Sequence, residues 1–111
     1  MTRINSIIIF LFFFLNGFSQ SPSIQWQHCL GGNGFDYGYS AEQTADGGFI
    51  TTGISDSNDG NVSGNHGAED FWICKLDNAG IIVWQKSFGG SNNDRACCAK
   101  QTGDGGYILA G

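Results

Sequence analysis

A stretch of eight residues in the middle of the chain returns near its end, and this repeat is the strongest constraint on the fold. The sequence of Asp46–Gly53 (DGGFITTG) has its counterpart in Asp104–Gly111 (DGGYILAG), an offset of 104 − 46 = 58 residues. When 24–53 is aligned with 82–111 at this offset, 14 of the 30 positions are identical. A fixed period of this length is typical of repeat architectures. We therefore divide the chain into a first repeat, 24–81, and a partial second repeat, 82–111.

The apolar and turn-forming residues within a repeat predict strands joined by tight turns. Apolar runs predict four strands in the first repeat, at 24–30, 37–44, 49–54 and 71–76, and 81–88 predicts the strand that opens the second. The strand at 71–76 is apolar on both faces, so it belongs between packed layers. The sequence thus predicts an all-β fold of antiparallel four-stranded blades of a β-propeller-like repeat, with about one and a half blades present.

Two kinds of turn carry the most specific local signals. In each, an aspartate can accept hydrogen bonds from main-chain N–H groups, while a glycine takes a positive φ. The residues predicted to form these turns are Asp46, Gly47, Gly48, Asp77, Gly80, Asp104, Gly105 and Gly106. We expect a structural role for them, because a catalytic carboxylate is not usually copied into every repeat. The large apolar residues predicted to form the blade core are Trp26, Phe49, Trp72, Leu76, Trp84 and Tyr107.

Residues 1–19 predict a cleavable signal peptide. A positive charge near the start is followed by an unbroken apolar run, 7–15, and the small residues Gly17 and Ser19 stand where a signal peptidase cuts. The run is too short to cross a bilayer, which takes about 20 apolar residues. Residues 20–23 form a short polar lead-in to the first repeat. We therefore expect export to the cell surface or the extracellular space, without a membrane span.

The charge of the chain argues against nucleic acids and anionic membrane surfaces as partners. The net charge is −5 at pH 7, with only five Lys and Arg residues. Nucleic acids and anionic membrane surfaces are bound by clusters of basic residues. We therefore expect no nucleic acid among the partners. Further blades of the same chain, self-association, or an extracellular protein or glycan remain the expected partners.

The polar loop before the strand at 71–76 is a weak candidate for binding calcium. Asp56, Asn58 and Asp59 place oxygen ligands close together, but their spacing departs from that of an EF-hand. A solvated connecting loop with no cofactor is the preferred interpretation, and calcium is the alternative. His66 precedes a strand, which favours a turn or edge-capping role over metal binding.

The cysteines are not part of the repeated chemistry. Cys29, Cys74, Cys97 and Cys98 are an even number in a chain expected to be exported, which allows three disulfide pairings. None of them has a cysteine 58 residues away. Because Cys97 and Cys98 are adjacent in a predicted strand, their side chains are expected on opposite faces. We expect buried free thiols or a single bridge.

The order of the motifs resembles that of a known kind of repeat. The motifs are Trp-Gln-x-x-x-Gly-Gly, then Asp-Gly-Gly-Phe-Ile, then His-Gly-x-x-Asp-Phe-Trp-x-x-Lys-Leu-Asp-x-x-Gly-x-x-x-Trp. They resemble the repeats of exported β-propeller-type proteins of Bacteroidetes-type bacteria, which are often type IX secretion substrates. The residues that carry the resemblance are Trp26, Gly31, Gly32, Asp46, Gly47, Gly48, Phe49, His66, Gly67, Asp70, Trp72, Lys75, Leu76, Asp77, Gly80 and Trp84. The segment 75–84 is similar, more weakly, to quinoprotein-type propeller blades, but the metal- and quinone-binding residues of those enzymes are not matched.

The repeated structural motifs, with no unrepeated cluster of reactive residues beside them, favour a non-enzymatic scaffold for protein or glycan binding. The alternative is part of a propeller-based glycan hydrolase or lyase whose active site is built by other blades. Such an enzyme would carry unrepeated Asp, Glu, Arg or Tyr residues at equivalent strand ends of different blades. Because one repeat of this type cannot bury its apolar faces alone, we expect the chain to be part of a longer repeat protein or to be completed by self-association.

Overall fold

The protein is an all-β chain with two antiparallel sheets. The structure, a computed structural model, describes Gly17 and residues 19–111, so the predicted signal peptide at 1–19 lies almost wholly outside it. The strands are β1 (Asp36–Gln43), β2 (Phe49–Ser55), β3 (Asp70–Leu76), β4 (Ile82–Phe88), β5 (Cys98–Gln101) and β6 (Tyr107–Ala110). The first four form one sheet in the order β1-β2-β3-β4, and β5 pairs with β6 in a second sheet. The predicted all-β class and antiparallel four-stranded sheet are confirmed.

Helices play no part in the architecture of the described residues, which are all strand, turn or irregular structure. Accordingly, none of these residues lies in a helix of the length and hydropathy that crossing a membrane requires.

The first sheet is out of phase with the sequence repeat. It begins inside the first repeat, with β1, and takes its last strand, β4, from the start of the second. The strands predicted at 37–44, 49–54, 71–76 and 81–88 agree with β1 to β4 to within one residue at each end. The first sheet is therefore assembled from two consecutive repeats.

The strand predicted at 24–30 is wrong, because these residues join no β-ladder. Their counterpart, meaning the segment 58 positions later, is β4, which is held by pairing with β3. The positions one repeat before β3 are 12–18, and their sequence belongs to the predicted signal peptide rather than to a copy of β3. To form a strand, residues 24–30 need a pairing partner equivalent to β3, and the sequence just before them contains no such segment.

The aromatic contact of this segment is repeated even though the strand is not. The Trp26 ring packs edge-on against Phe49, with ring centroids 5.5 Å apart, and its Nε1 donates a hydrogen bond to the Asn78 carbonyl. In the second repeat the counterparts Trp84 and Tyr107 pack in the same way at 5.7 Å. The sequence repeat is therefore also a repeat of packing.

The centre of the first sheet is β3, in which all seven residues are buried, as its two-sided apolar pattern predicted. One face carries Ile50, Phe71 and Ile73, which pack against Ala99 of the second sheet. The opposite face carries a cluster of Trp72, Cys74 and Leu76 with Val62 from the long loop. The first sheet is thus covered on both sides at β3, and the second sheet stacks on one of its faces.

The residues predicted to form the blade core are buried to different degrees. Trp72 and Leu76 are buried, whereas Phe49, Trp84 and Tyr107 are half-buried at the margins of the two clusters. Trp26 is 36% exposed, because it lies on the segment that forms no strand. The two candidates on β3 are therefore the most buried of the six.

Candidate functional site

The turn between β1 and β2 is held by the side chain of Asp46. Its Oδ1 accepts a hydrogen bond from the main-chain N–H of Gly48 at 3.0 Å and another from the Thr44 hydroxyl. The Thr44 N–H donates to the Gly48 carbonyl at 2.9 Å, and Gly47 has a φ of +82°. A side chain with a Cβ is strained at that φ, so the glycine is required by the turn.

The turn between β5 and β6 repeats these contacts one for one. The Asp104 carboxylate accepts hydrogen bonds from the Gly106 N–H at 3.1 Å and from the Thr102 hydroxyl. The Thr102 N–H donates to the Gly106 carbonyl at 2.9 Å, and Gly105 has a φ of +85°. The Thr102 hydroxyl and then the Gly106 N–H lower the pKa of Asp104 below its ordinary value, because both stabilise the charged carboxylate.

The turn between β3 and β4 uses a different brace. The Asp77 Oδ1 accepts hydrogen bonds from the N–H groups of Ala79 and Ile81, both at 2.9 Å. Gly80 has a φ of +79°, and a Cβ there would lie 2.5 Å from the ring of Trp26. The close approach of the indole and the positive φ both require glycine at this position.

A buried lysine distinguishes the Asp46 turn from its counterpart. Lys75 is 5% exposed, and its Nζ lies 3.0 Å from Asp46 Oδ2 and donates to the Leu76 carbonyl at 2.8 Å. The Thr44 hydroxyl first, and then the Lys75 ammonium group, hold the pKa of Asp46 well below its ordinary value. In the sequence, the only sign of this ion pair is a single Lys in an otherwise apolar strand.

The calcium candidates bind protein groups. Asp56 Oδ1 accepts the Phe35 N–H at 2.6 Å, and Asp59 accepts the main-chain and side-chain N–H groups of Asn33 at 2.8 and 2.6 Å. Asn58 accepts N–H groups within its own loop. In the part of the chain that the structure describes, no three His, Cys, Asp or Glu residues are grouped as metal ligands would be. The Asp56 and Asp59 side chains thus tie the long loop to the Gly-rich segment before β1.

A histidine–aspartate pair stands at the start of β3. Asp70 is fully buried, and its Oδ2 accepts the His66 N–H at 2.7 Å and lies 2.9 Å from His66 Nδ1. The other oxygen, Oδ1, has no hydrogen-bond partner, and a Cβ at Gly89 would lie 2.5 Å from it. The Asp70 carboxylate therefore ties His66, in the loop before β3, to the first residue of that strand.

The outer face of β1 and β2 forms an open groove. The cavity measures about 430 Å³, and its lining includes Tyr37, Tyr39 and Trp72. Its lining also includes Gly38, Ala41 and Thr51, whose counterparts in the second repeat are Ala96, Ala99 and Leu109. Those counterparts pack against the first sheet. The groove is therefore the surface of the first repeat that corresponds to the buried surface of the second repeat, and in the first repeat this surface is open.

All four cysteines are free thiols, and only Cys74 is buried. Burial raises the pKa of the Cys74 thiol to about 12. Cys29 and Cys97 are exposed and Cys98 is half-buried, so the expectation of buried thiols is wrong for these three. The predicted opposite orientation of the adjacent pair is also wrong, because the sulfurs of Cys97 and Cys98 lie 3.7 Å apart.

The two sulfurs meet where the chain enters β5, at a position whose counterpart in the first repeat is a β-bulge. In the β1–β2 ladder the register shifts between Gly38 and Ser40, which leaves Tyr39 as an extra residue, and Cys97 is the counterpart of Tyr39. Cys98 pairs with Ala110, and the Cys97 N–H donates to the carbonyl of that same residue at 2.9 Å. Because two residues oppose one, the alternation of side chains between faces is interrupted.

The described side chains thus form three features. These are repeated turns held by carboxylates, an open groove whose counterpart in the second repeat is a buried interface, and a pair of neighbouring thiols. The turn carboxylates accept main-chain N–H groups, which stabilises the hairpins. Comparisons with protein-family models, with curated proteins and with solved structures find no match to this chain.

Proposed function

We propose that this protein is an exported β-propeller-type repeat protein that acts as a non-enzymatic scaffold for protein or glycan contact at the cell surface or outside the cell. The observation that carries the proposal is the recurrence of one surface. In the second repeat this surface is buried between sheets, and in the first repeat it is an open groove. A module that stacks sheets through a repeated surface extends by adding units of the same kind.

The groove is suited to bind an apolar sheet face like the one that covers its counterpart in the second repeat. Ala99 is 1% exposed because Ile50, Phe71 and Ile73 of the first sheet lie over it. Its counterpart Ala41 is exposed in the groove. The occupant we propose is therefore an Ile50-type face of another repeat unit.

The second sheet carries the beginning of such a face. The counterpart of Ile50 is Ile108, which is 63% exposed on the side of β6 turned away from the first sheet. In a head-to-tail arrangement, Ile108 of one copy would lie over Ala41 of the next. Contacts of this heterologous type add units in one direction.

The repeated carboxylates support a scaffold over an enzyme. Asp46, Asp77 and Asp104 each accept two or more hydrogen bonds from groups of their own turns. General acid–base catalysis needs a group positioned to exchange a proton with a substrate. The exposed aromatic rings of Tyr37 and Tyr39 along the groove are of the type enriched in protein interfaces.

Sedimentation velocity of the processed chain tests the proposal. Intact mass should first show that residues 1–19 have been removed. The wild-type chain should then associate as its concentration rises, because the groove and the Ile108 face meet. Ala41→Glu places a charge in the groove and should abolish the association, whereas Ala68→Glu, at an exposed loop position, should leave it unchanged. A wild-type chain that stays monomeric, or association that survives Ala41→Glu, would contradict the stacking surface.

A further inference from the structure

We propose that Cys97 and Cys98 form a redox-modifiable dithiol site that closes into a disulfide between neighbouring residues. Their sulfurs lie 3.7 Å apart, close to contact. Cys97 is exposed, so a reagent can reach it from solvent, and Cys98 is half-buried beside it. The site thus has one accessible thiol and one thiol ready to resolve the first reaction.

The fold builds this pair. The Cys97 N–H donates a hydrogen bond to the Ala110 carbonyl, and the Cys97 sulfur lies 3.6 Å from the same oxygen. Their counterparts in the first repeat, Tyr39 and Ser40, lie at the β-bulge of the β1–β2 ladder, where there is no thiol. The geometry therefore belongs to the repeat, and the two cysteines add the chemistry to it.

The other two thiols are not equivalent to this pair. Cys74 is buried in the cluster around Trp72, and its pKa is raised to about 12 by burial, which leaves it protonated and unreactive. Cys29 is exposed on the segment that forms no strand. Of the four thiols, all within the described residues, only Cys97 and Cys98 lie in contact.

The reaction is thiol–disulfide exchange with a small organic disulfide or a disulfide-bearing oxidoreductase, which oxidising compartments supply. The Cys97 thiolate attacks one sulfur of the incoming disulfide, forms a mixed disulfide and expels the first thiolate. The Cys98 thiolate then attacks the Cys97 sulfur, and the second thiolate leaves. The cysteines release two protons and give two electrons to the incoming disulfide, which becomes two thiols.

The order of the two attacks follows from the environment of each sulfur. The hydrogen bond between the sulfurs, followed by the charge of Cys97, raises the pKa of the Cys98 thiol. Cys98 is therefore the poorer first nucleophile, and Cys97 is the more exposed. Adjacent Cα atoms are about 3.8 Å apart, which is closer than in most disulfides, so the product should be readily reduced.

A peptide-mapping experiment on the folded, processed chain tests the site. Trypsin cuts after Arg95 and Lys100, so the peptide 96–100 contains both cysteines and no other. After treatment with oxidised glutathione and then iodoacetamide, this peptide should be lighter than its reduced form by two hydrogens. It should carry neither an alkyl group nor glutathione, and dithiothreitol should restore both thiols. A doubly alkylated peptide, or one that retains glutathione, would overturn the proposal.

Two controls connect the chemistry to the fold. Cys98→Ser lacks the resolving thiol, so glutathione should accumulate on Cys97 in this variant. In urea the backbone arrangement that holds the two sulfurs together is lost, and the disulfide should form more slowly than in the folded chain. Equal rates in folded and unfolded chains would show that the fold does not build the site.

Discussion

Ile50 and Ile108 occupy the same position of the repeat, and we expect very different costs when each is replaced by alanine. Ile50 is 1% exposed and lies between the sheets in contact with Phe71, Ile73 and Ala99. Ile108 is 63% exposed. The two substitutions are chemically identical, so a difference between them measures how the second sheet stacks on the first.

The size of the effect follows from burial. Replacing isoleucine by alanine removes three carbons, and at about 0.8 kcal/mol for each buried carbon the transfer loss is about 2.4 kcal/mol. The cavity left at Ile50 brings the expected loss of unfolding free energy into the range of about 2–5 kcal/mol. At Ile108 only about a third of the side chain is removed from water, so the loss should be about 1 kcal/mol or less.

Urea unfolding followed by tryptophan fluorescence measures both losses. For a small domain the unfolding free energy falls by about 1 kcal/mol per molar urea. The midpoint should therefore fall by about 2 M or more for Ile50→Ala and by about 1 M or less for Ile108→Ala. The titration is run at a concentration where the chain is monomeric, so that self-association does not cover Ile108. Equal shifts for the two variants would refute the assignment of one face as buried and the other as open.

Two further predictions concern the turns. Gly105→Ala should cost about 1–2 kcal/mol from its positive φ alone, since its Cβ meets nothing within 4 Å. Gly80→Ala should lower the melting temperature further, because its Cβ would also meet the Trp26 ring at 2.5 Å. The pKa values of Asp46 and Asp104 lie below the ordinary 3.8 in the folded chain, so their stabilisation is present above about pH 4 and is lost as the pH falls below it. Urea midpoints should therefore fall on acidification below pH 4, and the double Asp→Asn variant should show a flatter acid limb. A wild-type midpoint independent of pH in this range would contradict the role of these carboxylates.

Local chemistry was sufficient to predict the hairpins. An aspartate followed by two glycines between apolar runs contains both the acceptor and the permissive φ that the turn needs, as Asp46 and Gly47 show. The apolar residues on both faces of β3 likewise predict that this strand is buried on both faces. Where a structure depends on residues within about four positions of each other, the sequence is enough.

Features that depend on distant partners could not be predicted in this way. The segment 24–30 has the pattern of β4 but lacks a neighbour of the β3 type, and pattern alone does not report a neighbour. The burial of Lys75 depends on Asp46, which lies 29 positions away in sequence. Both errors concern which groups meet across the sheet, and that is set by topology.

The predicted orientation of Cys97 and Cys98 is wrong for a different reason. The rule that successive side chains alternate holds for a regular ladder, and a bulge is a change in the count of paired residues. The shift between Gly38 and Ser40 is a property of two paired strands. A strand considered alone carries no sign of it.

The phase difference between sheet and repeat has a practical consequence for truncation and proteolysis. A cut at the repeat boundary, between Ile81 and Ile82, would remove β4 and leave β3 as an open edge. All seven residues of β3 are buried, and an exposed apolar edge of this kind is a template for aggregation. A cut after Phe88, within the glycines that follow, would leave the first sheet with its four strands intact. Cuts at the ends of its sheets should therefore disturb this protein less than cuts at the boundary of its sequence repeat.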